Sequence, residues 1–306
     1  MRTLTLTYVV AALALSIALP VSLFSQQQAD PNFDAKVANP AYTSTHPKVL
    51  FDEAHNNFHT ATGRYKPFAD LITNDGYQVS PNKEKFVATV LQGYDVLVIA
   101  NALGSSDSNP AAREAPAFTT DECNVVRDWV KGGGALLLIA DHAPAGGAAA
   151  NLGAVFGVEM SKAYTGDPIY FQQKGLDVSW IVFSRTNANL GKHAIMEGRN
   201  QAERINRVMS FTGQSLKGPA DSIALLKLSD KAYDVLDLNT PAKATIVSAS
   251  GRAQAIAITV GKGRVLVFGE AAMLSAQNVN FGMNYPGIDN RQLVLNVMHW
   301  LTELIK

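Results

Sequence analysis

Short apolar runs separated by helical patterns are the feature that most constrains this fold. Residues 95–100 and 135–140 are apolar over nearly their full length, and residues 48–53 contain a similar run before two acids. Runs of this length without polar alternation are typical of parallel strands that are buried on both faces. Amphipathic stretches between them predict successive βαβ units. We therefore expect an α/β fold built on a doubly wound, mostly parallel sheet with helices on both faces.

The remaining elements follow from periodicity and turn residues. The predicted helices cover residues 65–75, 83–92, 119–131, 147–156 and 290–306. Further strands are predicted over residues 77–80, 178–183, 223–228, 244–248, 254–260 and 264–269. Gly261, Lys262 and Gly263 separate the last two strands and indicate a hairpin. Thr119 and Glu122 have the spacing of a capping box at a helix start. A β-rich segment is thus added after residue 158.

The first 25 residues have the composition of a secretory signal peptide. One base, Arg2, precedes the apolar run 7–24, and three glutamines follow Ser25. An uncleaved membrane anchor is the alternative, because the run approaches the roughly 18 residues of a membrane span. Pro20 and the polar residues after Ser25 favour cleavage. We predict a signal peptide over 1–25, a polar lead-in over 26–46 and one α/β domain over 47–306, in a secreted or periplasmic protein with no stable membrane span after cleavage.

The charge and cysteine content narrow the classes of partner. The 306 residues carry 26 bases and 26 acids, so the formal net charge is zero. Nucleic-acid-binding proteins usually carry a basic excess, and we therefore expect no nucleic-acid partner. The single cysteine, Cys123, excludes an internal disulfide. The expected partners are a small polar ligand, a glycan or another protein.

Several segments in order resemble a known superfamily. They read VLFDEAHNNFH, YDVLVIANALG, GGGALLLIADHAPAGG, GKHAIMEG, GRVLVFGEAAML and DNRQLVLNVMHWL, and they span roughly residues 48–304. Together they resemble secreted members of the class I glutamine amidotransferase-like superfamily, which are related to trehalose-utilisation-type proteins. This resemblance implies a flavodoxin-like sheet, and it does not imply one activity.

One departure from the superfamily concerns its nucleophile. The resemblance implies a cysteine in a sharp strand-to-helix turn, usually Gly-x-Cys-x-Gly. The corresponding turn here follows residues 135–140 and reads Asp141-His142-Ala143-Pro144. Cys123 lies instead in a predicted amphipathic helix, where a buried structural thiol is expected. The sequence therefore predicts that glutaminase activity is absent.

Polar residues at the predicted strand ends are the candidates for a site. In a doubly wound sheet, ligands bind beyond the carboxyl ends of the strands. If the strand order is 2-1-3-4, the first and fourth strands flank the third and lie about 9–10 Å apart. Side chains from both could then meet above Asn101, which we predict to contact a ligand. The candidate catalytic residues are Glu53, His55, Asp141, His142 and Glu270.

Two chemistries and one structural interpretation remain open for these residues. His55, His59 and His142 could bind a divalent metal such as zinc, which would lower the pKa of a bound water. Without metal, Glu53 or Glu270 could act as the general base and His142 as the acid. In the structural interpretation the same side chains only cap helices or hydrogen-bond loop backbone.

The small residues after the fourth strand also allow two interpretations. The backbone N–H groups of Gly146 and Gly147 could bind an anion at a helix start. The same glycines could instead permit close packing of the helix. No Gly-x-Ser-x-Gly, Walker A or Gly-x-Gly-x-x-Gly motif occurs in the sequence. Two functions are therefore carried forward: a ligand-binding module of the amidotransferase-like type, and an exported hydrolase, possible with or without a metal.

Overall fold

The computed structural model describes residues 28–172, 177–237, 244–278 and 280–306. The predicted signal peptide lies outside these residues. The strands are β1 (Lys48–Asp52), β2 (Gln78–Asn82), β3 (Val96–Ala100), β4 (Ala135–Ile139), β5 (Glu159–Met160), β6 (Tyr164–Gly166), β7 (Val182–Ser184), β8 (Arg207–Met209), β9 (Leu216–Lys217), β10 (Ile223–Lys227), β11 (Tyr233–Leu236), β12 (Thr245–Ser248), β13 (Ala253–Val260), β14 (Gly263–Phe268), β15 (Ala276–Gln277) and β16 (Phe281–Gly282). The helices are α1 (Lys66–Asn74), α2 (Ala88–Leu91), α3 (Pro110–Glu114), α4 (Thr120–Lys131), α5 (Ala145–Ala154), α6 (Ala194–Glu197) and α7 (Asn290–Leu301).

The main sheet has a parallel part and an antiparallel part. Its order is β2-β1-β3-β4-β14-β13-β9-β5, with β10 also paired to β13. The first five strands are mutually parallel, and the remaining pairs are antiparallel. The predicted order 2-1-3-4 and the β13–β14 hairpin are confirmed. The fold class is therefore the predicted α/β class, with antiparallel strands added to a parallel sheet.

Helices cover both faces of this sheet. Alternate residues of β3 enter two separate cores, with Val98 in one and Ile99 in the other. Phe68 of α1 and Val297 of α7 belong to the first core, whereas Val126 of α4 belongs to the second. Because both faces of β3 and β4 are buried, these two strands have no polar alternation, whereas the edge strand β2 is partly exposed and contains polar residues.

The predicted capping box starts α4. The Thr119 hydroxyl accepts a hydrogen bond from the Glu122 backbone N–H at 3.2 Å, and the Glu122 carboxylate accepts one from the Thr119 backbone N–H at 3.0 Å. The helix therefore begins where the sequence predicted, with two of its N-terminal backbone donors satisfied.

Three predicted elements differ from the structure. The helix expected over 83–92 is reduced to Ala88–Leu91, because the Phe86 backbone N–H donates to Glu122 and the Phe86 ring packs on His55. The strand expected over 178–183 begins only at Val182. The last helix ends at Leu301 rather than at residue 306, and Glu303 has a left-handed φ of 63°.

The described part of the lead-in packs against the domain. Ala29 forms a bridge with Gln277, and the Ala41 backbone N–H donates to Asp75. The Tyr42 hydroxyl donates to Thr302 at 2.7 Å. Residues 28–46 are therefore fixed to the domain rather than forming a free linker. Among the described residues, no helix has the length and apolar character needed to cross a membrane.

Candidate functional site

The carboxyl ends of β3, β4 and β14 bring four predicted residues to one edge of the sheet. Asn101 follows β3, Asp141 and His142 follow β4, and Glu270 follows β14. The register pairs Phe268 with Ile139, so Glu270 and Asp141 occupy equivalent positions beyond two neighbouring parallel strands. We call these four residues the strand-end cluster. The convergence above Asn101 was predicted for side chains of β1 and β4. Asp141 of the β4 end does lie there, with Glu270 of the β14 end beside it, whereas Glu53 and His55 of the β1 end are held in other contacts.

The two carboxyl groups of the cluster share one backbone turn. Glu270 is fully buried and accepts hydrogen bonds from the backbone N–H groups of Ala272 at 2.6 Å and Met273 at 2.7 Å. The Asp141 carboxylate accepts from the backbone N–H groups of Ala271 and His142. Its side chain is 19% exposed. Asp141 therefore lies at the surface of the cluster and Glu270 beneath it.

Burial favours the protonated forms of both carboxyl groups, and repulsion by Asp141 adds to this at Glu270. Burial raises the pKa of Glu270 well above its usual range, the charge of Asp141 adds to this, and three backbone N–H groups offset it only in part. Burial also raises the pKa of Asp141, although His142 and Asn101 favour its ionised form. Neighbouring carboxyl groups of like charge resist simultaneous ionisation. The pair is therefore expected to bind and release protons as one unit.

Asn101 connects the cluster to the loop after β1. Its backbone has φ of 47°, in the left-handed region that asparagine tolerates better than most residues. Its side-chain oxygen accepts from the Asp141 backbone N–H, and its carbonyl accepts from the Phe58 backbone N–H, both at 2.9 Å. Asn101 therefore fixes the position of Asp141 relative to the 58–65 loop.

His142 lies at the rim of the cluster. Its Nδ1 donates to the Ala143 carbonyl at 2.8 Å, and its ring stacks on Tyr164 with centroids 3.8 Å apart. The side chain is 21% exposed, and Nε2 lies 4.0 Å from Asp141 Oδ1. Because Nδ1 is engaged, Nε2 is the nitrogen that a ligand would meet.

His55 lies elsewhere, in a buried ionic triad with Asp52 and Glu122. Its Nδ1 is 2.9 Å from both Asp52 carboxylate oxygens, and its Nε2 is 2.9 Å from Glu122 Oε1. The ring lies between Phe86 and Phe118, with centroid distances of 4.7 and 4.6 Å. Both nitrogens can donate only when the ring carries two protons. No nitrogen remains for a substrate or a metal, so the placement argues against the predicted catalytic role of His55.

The carboxylate of Glu53 is also engaged in contacts within the fold and does not lie free at the sheet edge. One carboxylate oxygen accepts from the Ala61 backbone N–H at 3.0 Å, and the other accepts from Lys83. The side chain is only 2% exposed. Glu53 therefore fixes the loop after β1 and does not join the strand-end cluster.

The predicted metal ligands do not converge. His55 is held by two carboxylates, His59 stacks on Tyr65 at 4.6 Å, and His142 stacks on Tyr164. Within residues 28–172, 177–237, 244–278 and 280–306, no group of three or more His, Cys, Asp or Glu side chains could hold a metal ion. The proposed ligand set of His55, His59 and His142 therefore does not fit a zinc site.

Gly146 and Gly147 are buried in α5, where packing explains them. A Cβ on Gly146 would lie 2.5 Å from Gln214 Nε2 and 2.7 Å from the Asp141 carbonyl oxygen. The atoms nearest to a Cβ on Gly147 would all belong to the Glu114 side chain, which can move. We expect Gly146→Ala to lower the free energy of unfolding by about 1–3 kcal/mol and Gly147→Ala to cost less, as measured by urea denaturation. Equal costs at both positions would contradict this packing role.

Cys123 has the environment of a structural thiol. It is 3% exposed within α4, and burial together with the charge of Glu122 raises its pKa to about 11. Thiolate is the nucleophilic form of cysteine, and it is scarce at neutral pH with such a pKa.

Sequence reasoning missed residues that stabilise the strand-end cluster and, separately, the His55 triad. Tyr65 donates its hydroxyl to the Ala271 carbonyl at 2.5 Å, and Gln214 donates to the carbonyls of Ala140 and Asp141. Glu122 was recognised only as a helix cap. Since each acts over a long sequence separation, no local pattern signals its second contact.

The ionic role of Glu122 can be tested by measuring the stability of the protein at acidic pH. Its burial opposes ionisation, but hydrogen bonds from Thr119, His55 and Phe86 outweigh this and lower its pKa to about 2. A lowered carboxyl pKa stabilises the fold above the unfolded value and is lost as pH falls through the folded one. We expect Glu122→Gln to be less stable than wild type at neutral pH, and the difference to shrink between about pH 4.5 and 2. A difference that does not change with pH, in urea melts across this range, would contradict the ionic role.

Two surface cavities lie at the edge of the sheet opposite to the strand-end cluster. They measure about 640 and 260 Å³ and share His193. Thr259, which lines the smaller one, pairs with Arg264, and Arg264 pairs with Ala135 at the start of β4. These cavities are thus at the amino ends of the parallel strands and contain none of the predicted site residues.

Comparisons with known proteins identify the fold. No protein-family model matches the sequence, and no curated protein is significantly similar to it. The mmIFT52 N-terminal domain is similar over 83% of this chain and 97% of that one, with a TM-score of 0.57 and 17% identity. A cytoplasmic protein from Salmonella typhimurium (83% and 99% covered) and a ThuA-like protein from Bacteroides uniformis (87% and 96%) each give a TM-score of 0.49 and 16% identity. The first similarity shows a shared α/β fold, and at this identity it shows the fold alone.

Proposed function

We propose that this chain is an exported, amidotransferase-like domain without glutaminase activity that binds a small polar ligand at the strand-end cluster. The observation that supports this most directly is the pairing of a partly exposed Asp141 with a fully buried Glu270. Burial raises the pKa values of both, and the charge of Asp141 raises that of Glu270 further; such perturbed carboxyl groups are concentrated at functional sites. The cluster also lies where ligands bind in doubly wound sheets.

The absence of glutaminase activity rests on the environment of the one thiol. The strand-to-helix turn after β4 presents Asp141 and His142, and Cys123 is buried in α4 with a raised pKa. Glutamine hydrolysis in this superfamily needs a reactive cysteine, and Cys123 does not meet that need. We expect no ammonia release from L-glutamine.

A hydrolase is the second candidate function, and the carboxyl pair favours it. A carboxyl group with a raised pKa retains a proton that it can donate to a leaving group, whereas its partner can accept one. Asp141 is the exposed member, and His142 Nε2 is available beside it. Glu53 and His55 are held in other contacts, so this version of the reaction would use Asp141, His142 and Glu270 alone.

Calorimetry with three chemically different probes tests the binding function. The probes are methyl α-D-glucopyranoside, succinate and ethanolamine, which are neutral, anionic and cationic. We expect at least one to bind the wild-type protein and to bind Asp141→Asn at least tenfold more weakly. Glu197→Gln, on the opposite edge, is the control and should bind as wild type does. Equal affinity in wild type and Asp141→Asn would contradict binding at this site.

A chromogenic assay separates the two functions. If wild type hydrolyses p-nitrophenyl acetate or a p-nitrophenyl glycoside and folded Asp141→Asn does not, the hydrolase is supported. Binding without turnover supports the ligand-binding domain.

Export is proposed from the first 25 residues alone. N-terminal sequencing of the protein recovered after expression of the full chain should find a start near residue 26. Recovery of an intact Met1 in a membrane fraction would instead indicate an anchor.

A further inference from the structure

His59 has a buried nitrogen whose hydrogen-bonding capacity is unused. The residue is 4% exposed, and Nδ1 has no hydrogen-bond partner among the described residues. Burial, with a smaller effect from the charge of Arg64, lowers its pKa to about 3, so the ring is neutral near neutral pH. A neutral imidazole has one donor and one acceptor nitrogen. Leaving such a nitrogen unpaired in a buried position destabilises the folded state.

Packing alone does not explain a histidine at this position. The ring stacks on Tyr65 at 4.6 Å and contacts Phe58 at 5.2 Å. A phenylalanine could make the same ring contacts without burying an unpaired nitrogen. Natural proteins usually satisfy such groups or use them in function.

The position of His59 connects it to the strand-end cluster. The Tyr65 hydroxyl donates to the carbonyl of Ala271, the residue after Glu270. Burial raises the pKa of Tyr65 well above its usual range, and the charges of Glu270 and Asp141 add to this. On the other side, the Phe58 backbone N–H donates to Asn101. His59 therefore lies in the loop that borders the cluster from the β1 side.

Two half-buried side chains of the same loop flank His59. Phe58 and Arg64 are both half-buried, and the guanidinium carbon of Arg64 lies 3.8 Å from the centre of the Phe58 ring. Both side chains belong to the loop between β1 and α1. Because His59 is only 4% exposed, a ligand would reach its ring only when this pair moves aside.

We infer that His59 is a ligand-contacting residue of this site and that its Nδ1 forms a hydrogen bond with a hydroxyl group of a neutral polyol. This inference rests on the proposed binding function and adds a residue and a ligand class to it. A hydroxyl can donate or accept, so it suits either tautomer of the ring. Asp141 adds acceptor oxygens, and a polyol has further hydroxyl donors for them. An anionic ligand would instead be repelled by the carboxyl pair.

The test compares the same substitution, histidine to phenylalanine, at two positions of the chain. His59→Phe should keep the stability of wild type or exceed it, because an unpaired nitrogen is removed while the ring contacts remain. It should weaken binding of methyl α-D-glucopyranoside by about tenfold, the equivalent of about 1.4 kcal/mol. His193→Phe, whose ring packs on Trp300 at the opposite edge, should leave that affinity unchanged.

The outcomes separate this inference from the function it rests on. If Asp141→Asn loses binding and His59→Phe keeps it, the inference fails and the binding function stands. If wild type binds succinate but not the glycoside, the polyol class is wrong. If wild type binds none of the probes, both fail.

A measurement on wild type covers the case in which His59→Phe does not fold. The ¹⁵N chemical shift of His59 Nδ1 should change on adding methyl α-D-glucopyranoside, because a hydrogen bond forms there. An unchanged shift at saturating glycoside would overturn the inference.

Discussion

Replacing His55 with alanine should lower the free energy of unfolding by about 3–5 kcal/mol, the usual cost of removing one partner from a buried ionic group. The imidazole contacts Asp52 and Glu122 at 2.9 Å, and all three side chains are almost fully buried. Without it, two carboxylates face each other across a cavity between Phe86 and Phe118. Urea denaturation at neutral pH measures the loss.

Two further variants identify the cause of that loss. His46→Ala is the control, since His46 is exposed and hydrogen-bonds to the Gly76 carbonyl, and it should cost under about 0.5 kcal/mol. His55→Ala combined with Glu122→Gln should cost less than the sum of the two single changes, because the second removes a charge that the first leaves unpaired. A loss below about 1 kcal/mol for His55→Ala would show that the triad is not a structural element.

Asp141→Asn should have the opposite sign, stabilising the protein at neutral pH by about 0.5–2 kcal/mol while weakening ligand binding. A raised carboxyl pKa stabilises the native state at low pH, and that stabilisation is lost as pH rises from the unfolded value toward the folded one. The pKa values of Asp141 and Glu270 are both raised, by burial first and by repulsion within the pair second in the case of Glu270. The gain in the variant should therefore be small below about pH 4 and should grow above it.

The same variant should lower the pKa of Glu270, because it removes the neighbouring carboxylate. Carbon-13 NMR of the glutamate side-chain carboxyl groups measures this shift directly. Loss of more than about 1 kcal/mol at neutral pH in Asp141→Asn would contradict the repulsive pair, since it would mean that the hydrogen bonds to Asp141 outweigh the repulsion.

The parallel half of the fold was predictable because its signals are local. Apolar runs mark strands buried on both faces, and the Thr119–Glu122 spacing marks the start of α4. The hairpin between β13 and β14 has glycines at its turn. The middle of the chain was harder, since β7, β8 and β9 have only two or three residues each. Elements so short depend on tertiary pairing rather than on periodicity.

The positions of the candidate site residues were predicted in part for a related reason. The rule that sites form at strand ends identified Asn101, Asp141, His142 and Glu270, which do lie together. The rule does not identify strand-end residues whose side chains hydrogen-bond to other parts of the fold. His55 is such a residue, because its partner Glu122 lies 67 residues away in the sequence. The role inferred for His59 likewise required a structure, since an unpaired nitrogen has no sequence signature.

The most direct test of a ligand site at the strand-end cluster is an ¹H–¹⁵N NMR titration of the wild-type protein with methyl α-D-glucopyranoside. We expect saturable shifts confined to Asn101, Asp141, His142 and the loop that contains His59, and their absence in Asp141→Asn. Shifts centred on His193 and Trp300, at the opposite edge of the sheet, or no shifts at all with any of the three probes, would contradict ligand binding at the strand-end cluster.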